Sequence, residues 1–303
     1  MVEISSNNTV APRRSVLSVP AINTRALEKL PGLDCDSVIF DLEDSVAPEM
    51  KTQARDNLIS LFRDKRPQHV ETIIRINPIS TPDGKADIAA VLACRPDAVV
   101  LPKVDEPSDI HDVADLLSED DAAGDIRIWA MIETPRGILN AAAVAKATHT
   151  QGSRLTCFVV GLNDLRKDTR VPALPGRAYL VPWLMQVVLS ARAYGLDVID
   201  SVCNDFRDLN AFSSECEQGR AMGFDGKMLI HPAQIEAANR HFAPDEAALG
   251  EAREIIAAFA APDAAGLNII NANGRMIERL HVDQAQRLVA MADIIAHRKA
   301  EKA

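Results

Sequence analysis

"IRIWAMIETPRGILN", Ile126–Asn140, changes character halfway. Up to Ile132 the run is apolar and continuous, as expected of a strand covered on both faces in a parallel sheet. Thr134 then suits a helix N-cap and Pro135 the first helical turn. Glu133 stands between the two elements with no capping job, so a carboxylate is left at a strand end for another purpose.

The same change recurs along the chain. Short β-rich runs occupy residues 15–20, 37–43, 72–77, 98–103, 126–133, 155–162, 196–202 and 226–232. Helix-like segments lie between them, such as "NTRALEKL", "MKTQARDNLISLFRD", "PSDIHDVADLLSED", "VPWLMQVVLSARAYG" and "NAFSSECEQGRAMG". Eight such alternations over about 250 residues predict an α/β fold, a (β/α)8 TIM barrel. A doubly wound open sheet is the alternative; eight regular units and no Gly-rich fingerprint after the first strand weigh against it. Residues 1–12 are expected to be a loose, disordered tail, 13–243 the barrel, and 244–303 a C-terminal helical extension. The extension holds two amphipathic patterns, around "EAREII" and "QAQRLVAMADIIAH", with Asp283 as the expected cap of the second.

Composition narrows the function classes. The net charge of −10 argues against nucleic acid and anionic membranes as partners, although a local basic pocket remains compatible with a small anionic ligand. Five scattered cysteines, odd in number and without a CxxC pair, suit reduced core residues of a cytoplasmic protein. The first residues lack the apolar core of a signal peptide, and no run of about 18 apolar residues suggests a membrane span.

In a barrel of this kind catalytic groups sit where strands end. The polar residues there are Asn23, Glu43, Asp44, Arg75, Lys103, Glu133, Asp164, Asn204 and His231. Glu133 and Asp164 fall at consecutive strand ends, hence side by side. Two carboxylates with waters and a chelating substrate suit Mg²⁺. Asn163 or Asp164 can alternatively be a helix cap, and Gly161 just before them can let another group approach closely. Arg75 lies within a strand, where its charge must be matched. In "VIFDLEDSVAP" (38–48) three carboxylates, Asp41, Glu43 and Asp44, crowd one strand away, and Glu43 and Asp44 are the nearest partners by strand order. Part of this cluster either holds the guanidinium for chemistry or forms a structural salt bridge. Lys103 is a rim cation or a stem covering its loop. His231 is expected to be a hydrogen-bonded structural residue. GxxxxGK[ST], HExxH, GxSxG and zinc spacings are absent, and the loops after strands seven and eight lack a Gly-rich phosphate turn.

The blocks "RRSVLSVPA", "VIFDLEDSV", "IRINP", "LPKV", "MIETPRGI", "GLNDLRKD" and "GFDGKMLIHPAQI" stand in the order found in citrate lyase β-subunit-like proteins. The chain resembles that family, within the metal-dependent class II aldolases and coenzyme A ester lyases such as malyl-CoA and citramalyl-CoA lyases. The resemblance runs from about Arg13 to Ala292. It implies a TIM barrel assembled as a trimer or a dimer of trimers, with Glu133 and Asp164 binding Mg²⁺ or Mn²⁺. It implies that Arg75 faces the enolate oxygen and that Glu43 and Asp44 support the arginine and nearby substrate groups. It also sets Arg14, Arg25 and Lys29 near the coenzyme A phosphates. Arg25 and Lys29, four apart, share a helix face and can clamp a diphosphate or be solvated surface charges.

The implied activity is metal-dependent carbon–carbon cleavage of a 3-hydroxyacyl-CoA thioester such as malyl-, citramalyl- or citryl-CoA. One position departs from the pattern. The malyl-CoA lyase branch takes its protonating acid from an aspartate in a C-terminal "MID" segment of the neighbouring subunit; here "GRMIERLH" has Glu278. The segment "GLNDLRKDTRVPALPGRA" also differs, which implies a reshaped acyl pocket. A thioesterase outcome, a carrier-protein thioester substrate, a non-catalytic subunit, and an aldolase acting on a free oxoacid are the alternatives.

Overall fold

Each apolar run folds as a strand, and each strand pairs in parallel with the next until the eighth closes on the first. The computed structural model describes residues 11–261, 264, 266–272 and 275–302. The strands are β1 Ser15–Pro20, β2 Ser37–Asp41, β3 Glu71–Arg75, β4 Ala98–Leu101, β5 Arg127–Ile132, β6 Leu155–Val160, β7 Asp197–Asp200 and β8 Gly226–Leu229. Helices α1 Thr24–Lys29, α2 Lys51–Lys65, α3 Pro82–Cys94, α4 Pro107–Ser118 and α5 Pro135–Lys146 connect the first six strands. Two helices, α6 Leu162–Thr169 and α7 Val181–Ala193, separate β6 from β7. The barrel chain ends with α8 Leu209–Met222 and α9 Ile235–His241. Apart from residues 11 and 12, the tail expected at the N-terminus lies outside the described residues.

Side chains along each strand alternate between barrel interior and helix shell. Val16, Ile39, Ile73, Val100, Trp129, Met131, Val159, Ile199 and Met228 fill the inside. Phe40, Ile74, Val99, Phe158, Val198 and Leu229 pack with the helices. Full burial of each such side chain is worth about 1.5–3 kcal/mol. The inward rows lead to the site: Ile39 to Asp41 on β2, Ile73 to Arg75 on β3, Met131 on β5 to Glu133 just after it, and Val159 on β6 to Gly161 just after it. At the N-terminal ends Arg13 lies 4.8 Å from the Trp129 ring centroid and forms 2.6 Å ion pairs to Glu71 and Asp197.

Several strands stop earlier than their apolar runs. The run 37–43 is a strand only to Asp41, because the Asp41 carboxylate accepts the main-chain N–H of Glu43 at 2.9 Å and of Ser45 at 3.2 Å, bending the chain out of the sheet. The α6 insertion was not apparent as a separate helix in the alternation.

The described chain divides into two compact units, Arg13–Phe242 and the segment from Ala243 on. The second unit contains α10 Glu246–Ala260, an antiparallel pair β9 Ile269–Ala272 and β10 Arg275–Glu278, and α11 Arg279–Lys302. The antiparallel pair was not anticipated by the helical patterns. Asp283 is not the cap of α11, which starts four residues earlier. There His281 Nδ1 accepts the Glu278 N–H at 2.9 Å, so a side chain inside the helix bonds back to the residue before it. No helix of the described residues is long and apolar enough to cross a membrane.

Candidate active site at the C-terminal ends of the strands

The β2–β3 register sets Asp41 directly beside Arg75. The guanidinium donates from Nε to Asp41 Oδ1 at 2.6 Å and from Nη2 to Oδ2 at 2.5 Å, a fork that fixes its plane. Burial alone would push the Asp41 carboxyl up, but the paired Arg75 outweighs it and holds it below the usual range. Arg75 is likewise held charged, burial opposing and Asp41 prevailing. Of the partners expected from strand order, Glu43 is borne out and Asp44 needs correction. Asp41 is the main partner, Glu43 Oε2 is 3.1 Å from Arg75 Nη1, and exposed Asp44 lies 3.9 Å from Lys103 Nζ instead. The bend after Asp41 turns Asp44 outward.

Lys103, the second residue after β4, ties the site together. Its backbone is left-handed at φ 51°, uncommon without glycine. Its N–H donates to Glu133 Oε1 at 2.9 Å and its Nζ to Glu43 Oε1 at 2.7 Å. Burial raises the Glu43 carboxyl above its usual range against the pull of Arg75 and Lys103. Lys103 is thus bonded into the site and is more than a covering stem.

Thr134 caps α5 by accepting the Gly137 N–H at 2.8 Å, which leaves Glu133 free to face inward. Glu133 is 3% exposed and packs on Gly161: a Cβ at Gly161 would lie 2.4 Å from Glu133 Oε2 and 2.5 Å from its Cβ. Burial, then the charge of Glu43, pushes the Glu133 carboxyl up to about 8. Asp164 stands in the first turn of α6, with Lys167 Nζ at 3.7 Å and Lys103 Nζ at 3.9 Å. Its neighbour Asn163 pairs side chain to side chain with Asn204 at 2.8 and 3.2 Å.

Asp41, Arg75, Glu133 and Asp164 line one cavity of about 280 Å³, walled by Met131, Val160, Leu162, Val202, Met228 and Ile230. Asp41, Glu133 and Asp164 share that cavity with the Arg75 guanidinium, and Lys103 Nζ stands 3.9 Å from Asp164. Glu133 and Asp164 present their carboxylates to the same cavity, and these two would hold a divalent cation. The donors are hard oxygens, and no group of three or more His, Cys, Asp or Glu suited to a metal occurs among the described residues. Two carboxylates completed by water and substrate oxygens fit Mg²⁺.

The other candidates separate by position. Asn23 caps α1 by accepting the Ala26 N–H, and exposed Arg25 and Lys29 follow it at the same rim. Arg14 does not join them. It precedes β1 at the opposite end of a six-residue strand, about 20 Å away, and is buried with its guanidinium on Asp36 at 2.8 Å. Its neighbourhood in sequence to the first strand does not carry it to the site. His231 is a structural residue: Nδ1 accepts the Ala233 N–H at 3.1 Å and the ring stacks on Phe206 at 4.6 Å. Glu278 ends β10 in the second unit. The sequence placed Asp41 in the acidic cluster but did not single it out as the main partner of Arg75, although the alternation from Ile39 carries that signal.

Known proteins share this architecture. The HpcH/HpaI aldolase/citrate lyase family model matches residues 14–232. A (3S)-malyl-CoA thioesterase of Cereibacter sphaeroides is 42% identical over 285 residues, covering 94% of this chain and 96% of that protein. The mitochondrial citramalyl-CoA lyase of Homo sapiens is 32% identical, covering 96% of this chain and 88% of that one. The crystal structure of protein CitE from Mycobacterium tuberculosis in complex with magnesium, acetoacetate and coenzyme A is 26% identical, with a TM-score of 0.71 over 94% of this chain and 99% of that chain. By barrel, strand-end site and extent of match, this chain belongs to the HpcH/HpaI aldolase/citrate lyase family.

Proposed function

We propose that the protein is a Mg²⁺-dependent lyase that cleaves the carbon–carbon bond of a 3-hydroxyacyl-CoA thioester of the malyl, citramalyl or citryl class. The observation that carries this is the clamped Arg75, fixed by Asp41 on the same cavity as Glu133 and Asp164. Relatives named for malyl-CoA and citramalyl-CoA, and a related structure holding magnesium and coenzyme A, support the substrate class and the metal.

Glu133 and Asp164 would hold Mg²⁺, which when bound supplies Lewis-acid polarisation of the substrate's hydroxyl and carboxylate oxygens. The substrate hydroxyl gives up its proton and its oxygen becomes the carbonyl of the departing oxoacid. The electron pair of the broken bond moves onto the thioester, making an enolate whose oxygen Arg75 faces. The Asp41 fork keeps the guanidinium from following Glu43 or solvent, so little reorganisation accompanies the charge shift. Glu43 Oε2 is buried and ion-paired with Arg75 Nη1 at 3.1 Å but accepts no hydrogen bond, and it is the acceptor we assign to the hydroxyl proton. Arg25 and Lys29 are assigned to the coenzyme A phosphates, supported by their shared rim position. Glu278 of a neighbouring copy is assigned to protonate the enolate carbon. This needs a homo-oligomer, a trimer or hexamer by family resemblance, with the segment from Ala243 packing on the neighbour. A cytoplasmic setting is the one we assign, in keeping with five buried cysteines.

The 42% identity to thioesterases favours a second outcome at the same site, hydrolysis of the thioester. Product analysis from malyl-CoA separates the two. Acetyl-CoA with glyoxylate is expected; malate with free coenzyme A would assign the thioesterase instead, and no cleavage or hydrolysis of malyl-, citramalyl- or citryl-CoA would overturn both.

A further inference from the structure

Asp164 is carried by an insertion. Helix α6 and residues 170–180 stand between β6 and α7, where a barrel needs only one helix. The residue before α6 is Gly161, which has no side chain to satisfy the first-turn N–H groups. Ser201 does this from the neighbouring strand end, its Oγ accepting the Leu162 N–H at 3.0 Å. At the far end of the insertion Arg177 donates from Nη1 to both oxygens of Asp200, at 2.8 and 2.9 Å. Asp200 Oδ1 also accepts the Ser201 N–H at 2.8 Å. Both ends of the segment that bears Asp164 are therefore fastened to two consecutive residues at the end of β7.

We propose that Ser201, Asp200 and Arg177 are positioning residues that set Asp164 against Glu133 for the cation. This rests on the metal role proposed above for Glu133 and Asp164. Nothing in the fastening is loose. Asp200, Ser201 and Lys227 are 0% exposed and Arg177 2%. Lys227 Nζ adds bonds to Asp200 at 3.0 Å and to Glu215 at 3.1 Å. Arg177 also donates from Nε to Gln218 and from Nη2 to the Glu215 carbonyl. A Cβ at Gly219 would lie 2.9 Å from Asp200 Oδ2, so α8 closes over the carboxylate. The chain turns inward through left-handed Gly176 (φ 75°) and Arg177 (φ 54°), a conformation that costs an arginine energy. Buried ion clusters are poor sources of net stability compared with apolar packing, but they hold geometry well. Here the geometry they hold is that of the α6 insertion.

The test compares Ser201→Ala and Arg177→Lys with wild type and with Glu133→Gln and Asp164→Asn. Mg²⁺ affinity is read by calorimetry, Tm is read without Mg²⁺, and kcat and KM are read on the thioester. Ser201→Ala leaves the ion cluster intact and so keeps the fold. Outer residues that orient metal ligands are commonly worth about 10–100-fold in affinity. We expect Ser201→Ala to weaken Mg²⁺ binding about tenfold and lower kcat with KM unchanged, while Tm moves little. Arg177→Lys, which keeps the charge but loses the bonds from Nε to Gln218 and from Nη2 to the Glu215 carbonyl, is expected to shift the same quantities in the same direction. Loss of Mg²⁺ binding in Glu133→Gln and Asp164→Asn with wild-type affinity in Ser201→Ala overturns this proposal alone. Wild-type affinity in Asp164→Asn overturns the metal site and the proposal with it.

Discussion

Gly161→Ala adds one methyl group where the structure has no room for it. The backbone itself accepts alanine, since φ is −108°. The new Cβ would meet Glu133 Oε2 at 2.4 Å and Glu133 Cβ at 2.5 Å, whereas ordinary contact begins at 3.4 Å. The Glu133 side chain must therefore retreat by about 1 Å, and Lys103 N–H and Arg75 oppose its moving elsewhere. A misplacement of about 1 Å costs on the order of 10²-fold in rate, and overpacking costs about 1–3 kcal/mol of stability. The variant should fold with a Tm lowered by a few degrees, bind Mg²⁺ about 10–100-fold more weakly, and lose about 10²-fold in kcat at saturating Mg²⁺. Calorimetric Mg²⁺ titration beside turnover measures both. A folded Gly161→Ala protein with wild-type Mg²⁺ affinity and kcat would refute the placement of Glu133 as a metal ligand.

Three further outcomes follow from the same geometry. Arg75→Lys keeps a charge but loses the two-pronged bond to Asp41, so kcat should fall about 10²–10³-fold with a smaller change in KM; equal kcat in steady-state assays would remove Arg75 from the chemistry. The raised Glu133 carboxyl means that between its ordinary 4.5 and about 8 the folded protein binds the extra proton. Without Mg²⁺ its contribution to stability therefore falls as pH rises through that window. Mg²⁺ must displace the proton, so apparent affinity should climb by up to about tenfold per pH unit below 8 and then level off; a flat calorimetric profile from pH 6 to 8 contradicts this. Lys29→Glu should raise KM for the thioester and leave kcat near wild type, whereas an unchanged KM would count against coenzyme A binding at α1.

The barrel was readable because each strand is an uninterrupted apolar run and each helix after it brings its own start signal, as Thr134 and Pro135 do for α5. Glu133 stood out because those two residues already explain the turn. Gly161 was readable as a place of close approach, and the structure shows Glu133 filling it. Other features depend on what crosses between elements. Which of Asp41, Glu43 and Asp44 meets Arg75 is decided by strand register and by the bend that Asp41 itself creates. Arg14 sits beside the first strand in sequence, but at its start, and a strand separates its two ends by its whole length. Ser201 and Asp200 look like ordinary strand-end residues until Leu162 and Arg177 are brought to them by the fold.

The measurement closest to the central claim is Mg²⁺-dependent formation of acetyl-CoA from malyl-, citramalyl- and citryl-CoA by wild type, Glu133→Ala and Asp164→Ala. Wild type should convert at least one ester with Mg²⁺ and none after chelation, and each folded variant should convert none. Turnover that survives in Glu133→Ala or Asp164→Ala, or that ignores chelation, would contradict a metal-dependent lyase at this site.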